Sequence, residues 1–448
     1  MKKLLLLALA GWGILSCTTQ KTTTMNDAPV AWKHDTNIYE VNVRQYSQEG
    51  TFRAFEKEMP RLKNMGVKTL WFMPVTPISQ KVKKGSLGSQ YAASDYTAIN
   101  PEFGTMEDFK HMVDEAHKLG FKVIIDWVAN HTGWDHVWTV SHPEYYLHDE
   151  DGKFHIASGM EDIIELDYAN PEMRTAMIDA MKFWVRETNI DGFRCDLASW
   201  VEVDFWEQAR PEVEKIKPLF FIGEFDELDN PDYGKVFDAS YSWTWMHKTA
   251  DYYKNDLPLS ELKDLLQKYS AIGDHSMRAW FTTNHDENTW NGTEYEKYGV
   301  IAKPLAVFSA TWNGIPLLYS GQELPNMKRL EFFEKDVIEW TGTNQMADFY
   351  QTLLNLKSSN PALRGGDSNG ITYLLTSSAD DKIMAYLRKN GKDEVLVVLN
   401  MSKGAVDFNL NEAHLAGKFK NVFDKTSRDF SDDRSFKMEA GGYAVYEK

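Results

Sequence analysis

The strongest constraint on this chain is a rhythm: short apolar runs alternate with stretches of helical spacing from about residue 36 to residue 325. Eight runs are legible, at 37–43, 67–74, 122–128, 192–197, 219–224, 236–241, 278–283 and 314–319. Between them, 106–119 and 171–188 place apolar residues three and four apart, the mark of an amphipathic helix. The first follows Gly104-Thr105; the second follows Asn170-Pro171, a capping residue and then proline at the first helical position. Strands joined through helices run parallel. Eight such units predict an α/β fold, a closed (β/α)₈ TIM barrel.

The third run is followed by a long excursion, 132–168, carrying Trp134, Trp138, Tyr145, Tyr146 and several histidines. Loops at the C-terminal ends of barrel strands wall the active site, so this segment is expected there as an inserted subdomain. Asp149-Glu150-Asp151-Gly152-Lys153 within it reads as an exposed acidic turn. After Asn360-Pro361 the pattern becomes period two, which predicts a C-terminal antiparallel β-domain, sandwich-like, over 366–448. The barrel is then assigned to 36–365.

At the other end, Lys2 and Lys3 precede an apolar run to Leu15, then Ser16 and Cys17, as in a secretory signal peptide. The run is too short to span a bilayer comfortably. Ile14-Leu15-Ser16-Cys17 resembles a bacterial lipobox, which implies lipidation of Cys17 and anchoring to a bacterial membrane, the outer one, facing periplasm or cell surface. Residues 18–35, rich in threonine at first, are expected to be a flexible tether. Beyond Cys17 the only other cysteine is Cys195, so no disulfide can staple the mature chain. The formal charge of −17 argues against nucleic acid as a partner and favours a neutral one. Oligomeric state is not legible.

Three carboxylates fall at the ends of predicted strands: Asp196 in Gly192-Phe193-Arg194-Cys195-Asp196, Glu224 in Phe221-Ile222-Gly223-Glu224, and Asp286 in Thr283-Asn284-His285-Asp286. Period two puts Arg194 and Asp196 on one face and Cys195 on the other. Two carboxyl groups about 5–5.5 Å apart can cleave a glycosidic bond with retention, one attacking the anomeric carbon and the other protonating the leaving oxygen. On this reading Asp196 is the nucleophile, kept ionised and oriented by Arg194. Glu224 is the acid/base, with its proton favoured by like-charged neighbours, and Asp286 binds sugar hydroxyls.

These segments resemble the α-amylase family, glycoside hydrolase family 13, from about residue 36 to the C-terminus. Asp126-Trp127-Val128-Ala129-Asn130-His131 is similar to its first signature, and the three strand ends above are similar to its nucleophile, acid/base and stabiliser segments. Leu166-Asp167-Tyr168-Ala169-Asn170-Pro171 and the stretch from Gly314 to Glu323 add two further matches. The resemblance implies sugar contacts from Asp126, His131, Arg194 and His285, and a stacking role for Tyr91. It implies an α-glucan or maltooligosaccharide substrate.

Two departures matter, and one is Gln90, which stands where the family usually has a glycine before Tyr91. The family commonly continues the nucleophile segment with Lys-His, where this chain has Ser199-Trp200, so Trp200 either stacks a sugar or packs. Calcium is left open: Asn130 and Glu165 stand where the family has oxygen ligands, but the altered 199–200 pair removes one support. Hydrolysis of α-1,4 bonds is the leading expectation. Alternatives are a transglycosylase, cyclomaltodextrinase, neopullulanase-type enzyme or disaccharide isomerase of the same family, and, in another class, a non-catalytic glucan-binding protein.

Overall fold

The computed structural model describes residues 30–273, 276–412 and 415–448; the segment expected to be a signal peptide, and Cys17 with it, lies outside the described residues. Eight parallel strands close into a barrel in chain order: β1 (Ile38–Val41), β2 (Thr69–Phe72), β3 (Lys122–Val128), β4 (Gly192–Asp196), β5 (Phe220–Asp226), β6 (Ala239–Tyr241), β7 (Met277–Trp280) and β8 (Ile315–Tyr319). Closure is made by β8 against β1, with Leu317 opposite Ile38. The helices expected from spacing form at Met106–Lys118 and Pro171–Thr188. Thr105 and Asp108 make a reciprocal capping box, and the Asn170 side chain caps the other helix, each cap contributing about 1 kcal/mol.

Inward-facing positions change character up the barrel. The lower layer is apolar, with Ile38, Trp71, Ile124, Phe220, Ile222 and Ala239 in one buried cluster. Two residues further along the same strands stand Glu40, Asp126, Arg194, Glu224 and Tyr241, all buried. Period two is what carries each strand from core to chemistry without changing face. Gly192 lets β4 and β5 close up, because a Cβ there would lie 1.9 Å from the Phe220 carbonyl oxygen. Cys195 opposes Gly223 across this pair, so Asp196 arrives at the level of Glu224.

The excursion is pinned by a short antiparallel pair, His131–Gly133 with Ile163–Glu165. Its acidic turn is exposed and closed by Asp149 Oδ1, which accepts from the Asp151 and Lys153 amides. After the helix Ala347–Ser359 the chain builds a six-stranded antiparallel sheet faced by a two-stranded one, Val406–Asn409 with Ser435–Met438. A second apolar core lies between them, including Phe408, Phe419, Phe430 and Phe436.

One expectation is corrected. The tether assigned to 18–35 does not take in Ala31–Asp35, which forms a 3₁₀ turn docked at the barrel base. Trp32 packs on Phe220 at 5.3 Å and Lys33 pairs with buried Asp238 at 2.9 Å. Val30 and Trp32 bury apolar surface there, which a mobile tether would leave in water.

Candidate active site

Arg194 is the hub of the upper layer. Its Nη1 donates to Asp126 Oδ1 and Asp196 Oδ1, each at 2.9 Å, and its Nε donates to Tyr241 Oη at 3.1 Å. Nη2 lies 2.9 Å from Glu224 Oε2, close as an ion pair but out of line for a hydrogen bond. The guanidinium packs over the Trp71 ring at 4.9 Å and is wholly buried. A buried cation of this kind is tolerable only because carboxylates surround it. Asp196 and Glu224 therefore sit side by side against two nitrogens of one planar group.

Local backbone geometry aims both carboxylates. Between Gly223 and Asp226 the register of β5 against β6 shifts, leaving Glu224 in an irregular stretch where a strand bends and re-aims its side chains. Directly after Asp196, Leu197 takes a left-handed conformation (φ 41°), unusual for a branched residue. That turn points the Leu197 amide at Glu224 Oε2, to which it donates at 2.9 Å. Burial, and then the charge of Glu224, push the Asp196 carboxyl well above the usual carboxylate range, with Arg194 opposing.

Asp286 belongs to a second cluster. His285 Nε2 lies 3.3 Å from Asp286 Oδ2 and 2.9 Å from the Tyr91 hydroxyl, and its Nδ1 lies 2.5 Å from Glu40 Oε1. Burial alone would strip the imidazole of its proton; Asp286 and Glu40 outweigh it and hold His285 protonated well above the usual range. Burial would also raise Asp286, but His285 and Arg194 together keep it ionised below its ordinary value. The Tyr91 ring stacks on His285 at 5.2 Å, and its hydroxyl donates to Asp126 at 2.9 Å. His131 is buried and its pKa is pulled down to about 4 by that burial, so it is a neutral ring. Among the described residues its Nε2 has no hydrogen-bond partner.

These groups open into a cleft of about 490 Å³, lined among others by Tyr91, His131, Asp196, Glu224, His285 and Asp286. The Alpha amylase, catalytic domain family matches residues 24–145 and 141–366, and the Maltogenic Amylase, C-terminal domain family matches 373–446. The chain belongs to the α-amylase family. It is a glycosidase of that family, with its three carboxylates at the mouth of the barrel. A maltogenic α-amylase from Bacillus acidopullulyticus is 26% identical over 434 residues, covering 89% of this chain and 70% of that one. A cyclomaltodextrinase from a Bacillus species is 26% identical over 387 residues, covering 79% and 66%. Among solved structures, a noncanonic maltogenic α-amylase from Thermotoga neapolitana superposes with a TM-score of 0.84 at 29% identity, covering 92% and 98% of the two chains.

Within this amylase-family site the expected residues divide. Asp196, Glu224, Asp286, Tyr91, His131, His285 and Trp200 all line the cleft. Trp200, at 44% exposed, offers a ring to solvent beside Leu197. Asp126 and Arg194, expected to touch sugar, instead stand behind the carboxylates with fully buried side chains, because each is consumed by the other and by Tyr91 and Asp196. They position; they do not reach the cleft surface.

Asn130 and Glu165 are the two oxygen donors considered for calcium. Asn130 Nδ2 faces His131 Nδ1 at 3.3 Å, and Glu165 is drawn to His155 at 3.6 Å. Calcium takes six to eight oxygens, and among the described residues no group of three or more His, Cys, Asp or Glu side chains is placed to hold a metal ion.

Glu40 and Tyr241 went unread in the sequence, although an acid inside the apolar strand Ile38-Tyr39-Glu40-Val41 was a visible signal. Trp290, which is 53% exposed and donates to Asp286, and the neighbouring Phe332 carried no such signal.

Proposed function

We propose that this enzyme hydrolyses α-1,4-glucosidic bonds of maltooligosaccharides or starch-derived glucans with retention, through a covalent glucosyl-enzyme intermediate. The observation that carries it is the pairing of Asp196 and Glu224 on one guanidinium. Asp196 attacks the anomeric carbon as Glu224 gives its proton to the departing oxygen, so the glycosidic bond breaks as the ester forms. Glu224, now ionised, takes a proton from water; the hydroxide attacks the same carbon and Asp196 leaves. The first step needs Glu224 to carry a proton, which the glycosidic oxygen accepts, and Asp196 to be ionised. His131, His285 and Asp286 offer donors and acceptors to the hydroxyls of the reacting ring, and Tyr91 lies beneath it. The carboxylate of Asp286, held ionised by His285 and Arg194, favours the positive charge that develops on that ring.

The relatives named as maltogenic amylase and cyclomaltodextrinase support this substrate class. Proton NMR of maltoheptaose hydrolysis tests the stereochemistry: the α-anomer appears first on retention, and initial β-anomer overturns the reading. A 5-fluoro glucosyl fluoride should label Asp196, visible by mass spectrometry of its peptide. Trp200 favours a second outcome for the same intermediate, transfer to a sugar acceptor resting on its exposed ring, seen as products longer than the substrate. Anchoring through Cys17 is part of the proposal, and labelled palmitate incorporation lost in Cys17→Ser tests it.

A further inference from the structure

Three loops on the catalytic face interlock on one side of the cleft. Lys84, after β2, pairs with Asp162 of the excursion at 2.8 Å. Two residues on, the Ser86 amide donates to Glu334 Oε1 at 2.7 Å and the Ser86 hydroxyl also bonds that carboxylate; the Leu87 amide donates to the Phe333 carbonyl at 3.1 Å. The approach is tight enough to need glycine: at Gly85 (φ 61°) a Cβ would come within 2.5 Å of Phe333 Cβ. Behind the wall, Gln45 Nε2 donates to the carbonyls of Glu331 and Glu334, and Arg44 Nη1 to that of Gly88, so both loops are tied to the segment after β1. The wall ends in an aromatic stack: Tyr91 on Phe332 at 6.1 Å, and Trp290 against Phe332 and Phe333 at 5.5 and 6.0 Å.

Chemistry tells which side this is. The departing sugar leaves past the acid, and the neighbours of Glu224 are Leu197 and, three residues on, the exposed Trp200. The interlock lies on the opposite side, beyond Tyr91 and Asp286, where the attacked ring continues toward the non-reducing end of its chain.

Resting on the hydrolytic reading above, we propose that the interlocked loops 84–87 and 331–334 close the cleft at the non-reducing end, so that the enzyme removes a short sugar from chain ends and does not cut within chains. Lys84, Phe332 and Phe333 bound the cleft on the interlocked side, while on the leaving side the ring of Trp200 is 44% exposed.

p-Nitrophenyl maltoheptaoside with a free non-reducing end, and the same compound capped there as the 4,6-O-ethylidene acetal, separate the cases when chain cleavage is followed directly by chromatography. Capping should slow the wild-type enzyme at least tenfold. In Ser86→Ala/Glu334→Ala, whose residues stand outside the cleft, the penalty should narrow to within threefold and longer first products should emerge from the uncapped compound. Equal wild-type rates on the two compounds overturn the closed end while leaving hydrolysis standing. An unchanged capping penalty in the double variant overturns the role of the interlock. If neither compound is cut, the α-1,4 reading fails, and the inference with it.

Discussion

Glu40 Oε1 lies 2.5 Å from His285 Nδ1, joining residues 245 apart in sequence at the base of the reacting-ring site. Glu40 is the last residue but one of β1 and His285 follows β7, with only β8 between those strands. The imidazole is thus clamped between two carboxylates, Glu40 below and Asp286 at the cleft, with Tyr91 on its face and Trp71 at its edge.

Glu40→Gln should therefore lower kcat/KM about tenfold to a hundredfold, a loss of roughly 1.4–2.8 kcal/mol, and move the alkaline limb of the pH profile down. The sign follows from the clamp. A histidine raised by its partners contributes stability in full below its unfolded pKa and loses it as pH rises through the folded one. With Glu40 neutral, His285 loses its proton at lower pH. A profile whose alkaline limb does not move would assign Glu40 a packing role only.

Asp196→Asn should abolish turnover and yet stabilise the fold at pH 7 by about 1 kcal/mol. Burial and Glu224 raise the Asp196 carboxyl, so the folded state binds a proton there more tightly than the unfolded chain does. Stability consequently falls as pH rises from the unfolded carboxylate pKa through the folded one. The advantage of the amide should be greatest at neutral pH and shrink on acidification, as read by urea unfolding at several pH values.

Trp200→Ala should raise KM for maltohexaose and longer chains about fivefold, near 1 kcal/mol. Hydrolysis of short aryl glycosides, which do not reach the ring, should be almost unchanged. Equal effects on long and short substrates would mean that Trp200 only packs.

Lys357 carries a pH dependence far from the site. It is fully buried in the helix Ala347–Ser359, and its Nζ donates to the Gly314 carbonyl at 2.8 Å and to that of Leu363. Burial, then Arg388, lowers its pKa to about 7. Between that value and the ordinary lysine range the unfolded chain binds the proton more, so stability rises with pH. From pH 7 to 9 the gain should approach about 2 kcal/mol, and Lys357→Met should remove it. Parallel stability–pH curves for the two proteins would refute this.

Chelation should leave the fold intact. A bound calcium would stabilise by mass action, and among the described residues no group of three or more His, Cys, Asp or Glu side chains is placed to hold one. Melting with EDTA and with millimolar calcium should agree within about 1 °C; a rise of several degrees with calcium would show a site assembled from other oxygens.

The barrel was legible because its signals are local. Apolar runs, helical spacing and the caps at Thr105 and Asn170 act within a few residues, and the structure follows them closely at Pro171–Thr188 and Lys122–Val128. Shorter strands slipped: the run at 236–241 yields only Ala239–Tyr241, because a 3₁₀ turn at Tyr233–Lys235 takes up the approach. Asp126 was misread as a sugar contact because a strand-end acid looks the same in sequence whether it faces the cleft or the residue beside it.

Sequence by itself determined that Asp196 and Glu224 would meet at one rim, since parallel strands of period two leave strand-end side chains nowhere else to go; Asp286 joins them from the loop six residues past β7. Tertiary structure decided how they meet. The irregular stretch at Glu224, the left-handed Leu197, the reach of Glu40 to His285 and the lock between Ser86 and Glu334 all join segments distant in sequence. Such contacts arise only when the barrel closes and its loops compete for the same space, and no local pattern of residues encodes that outcome.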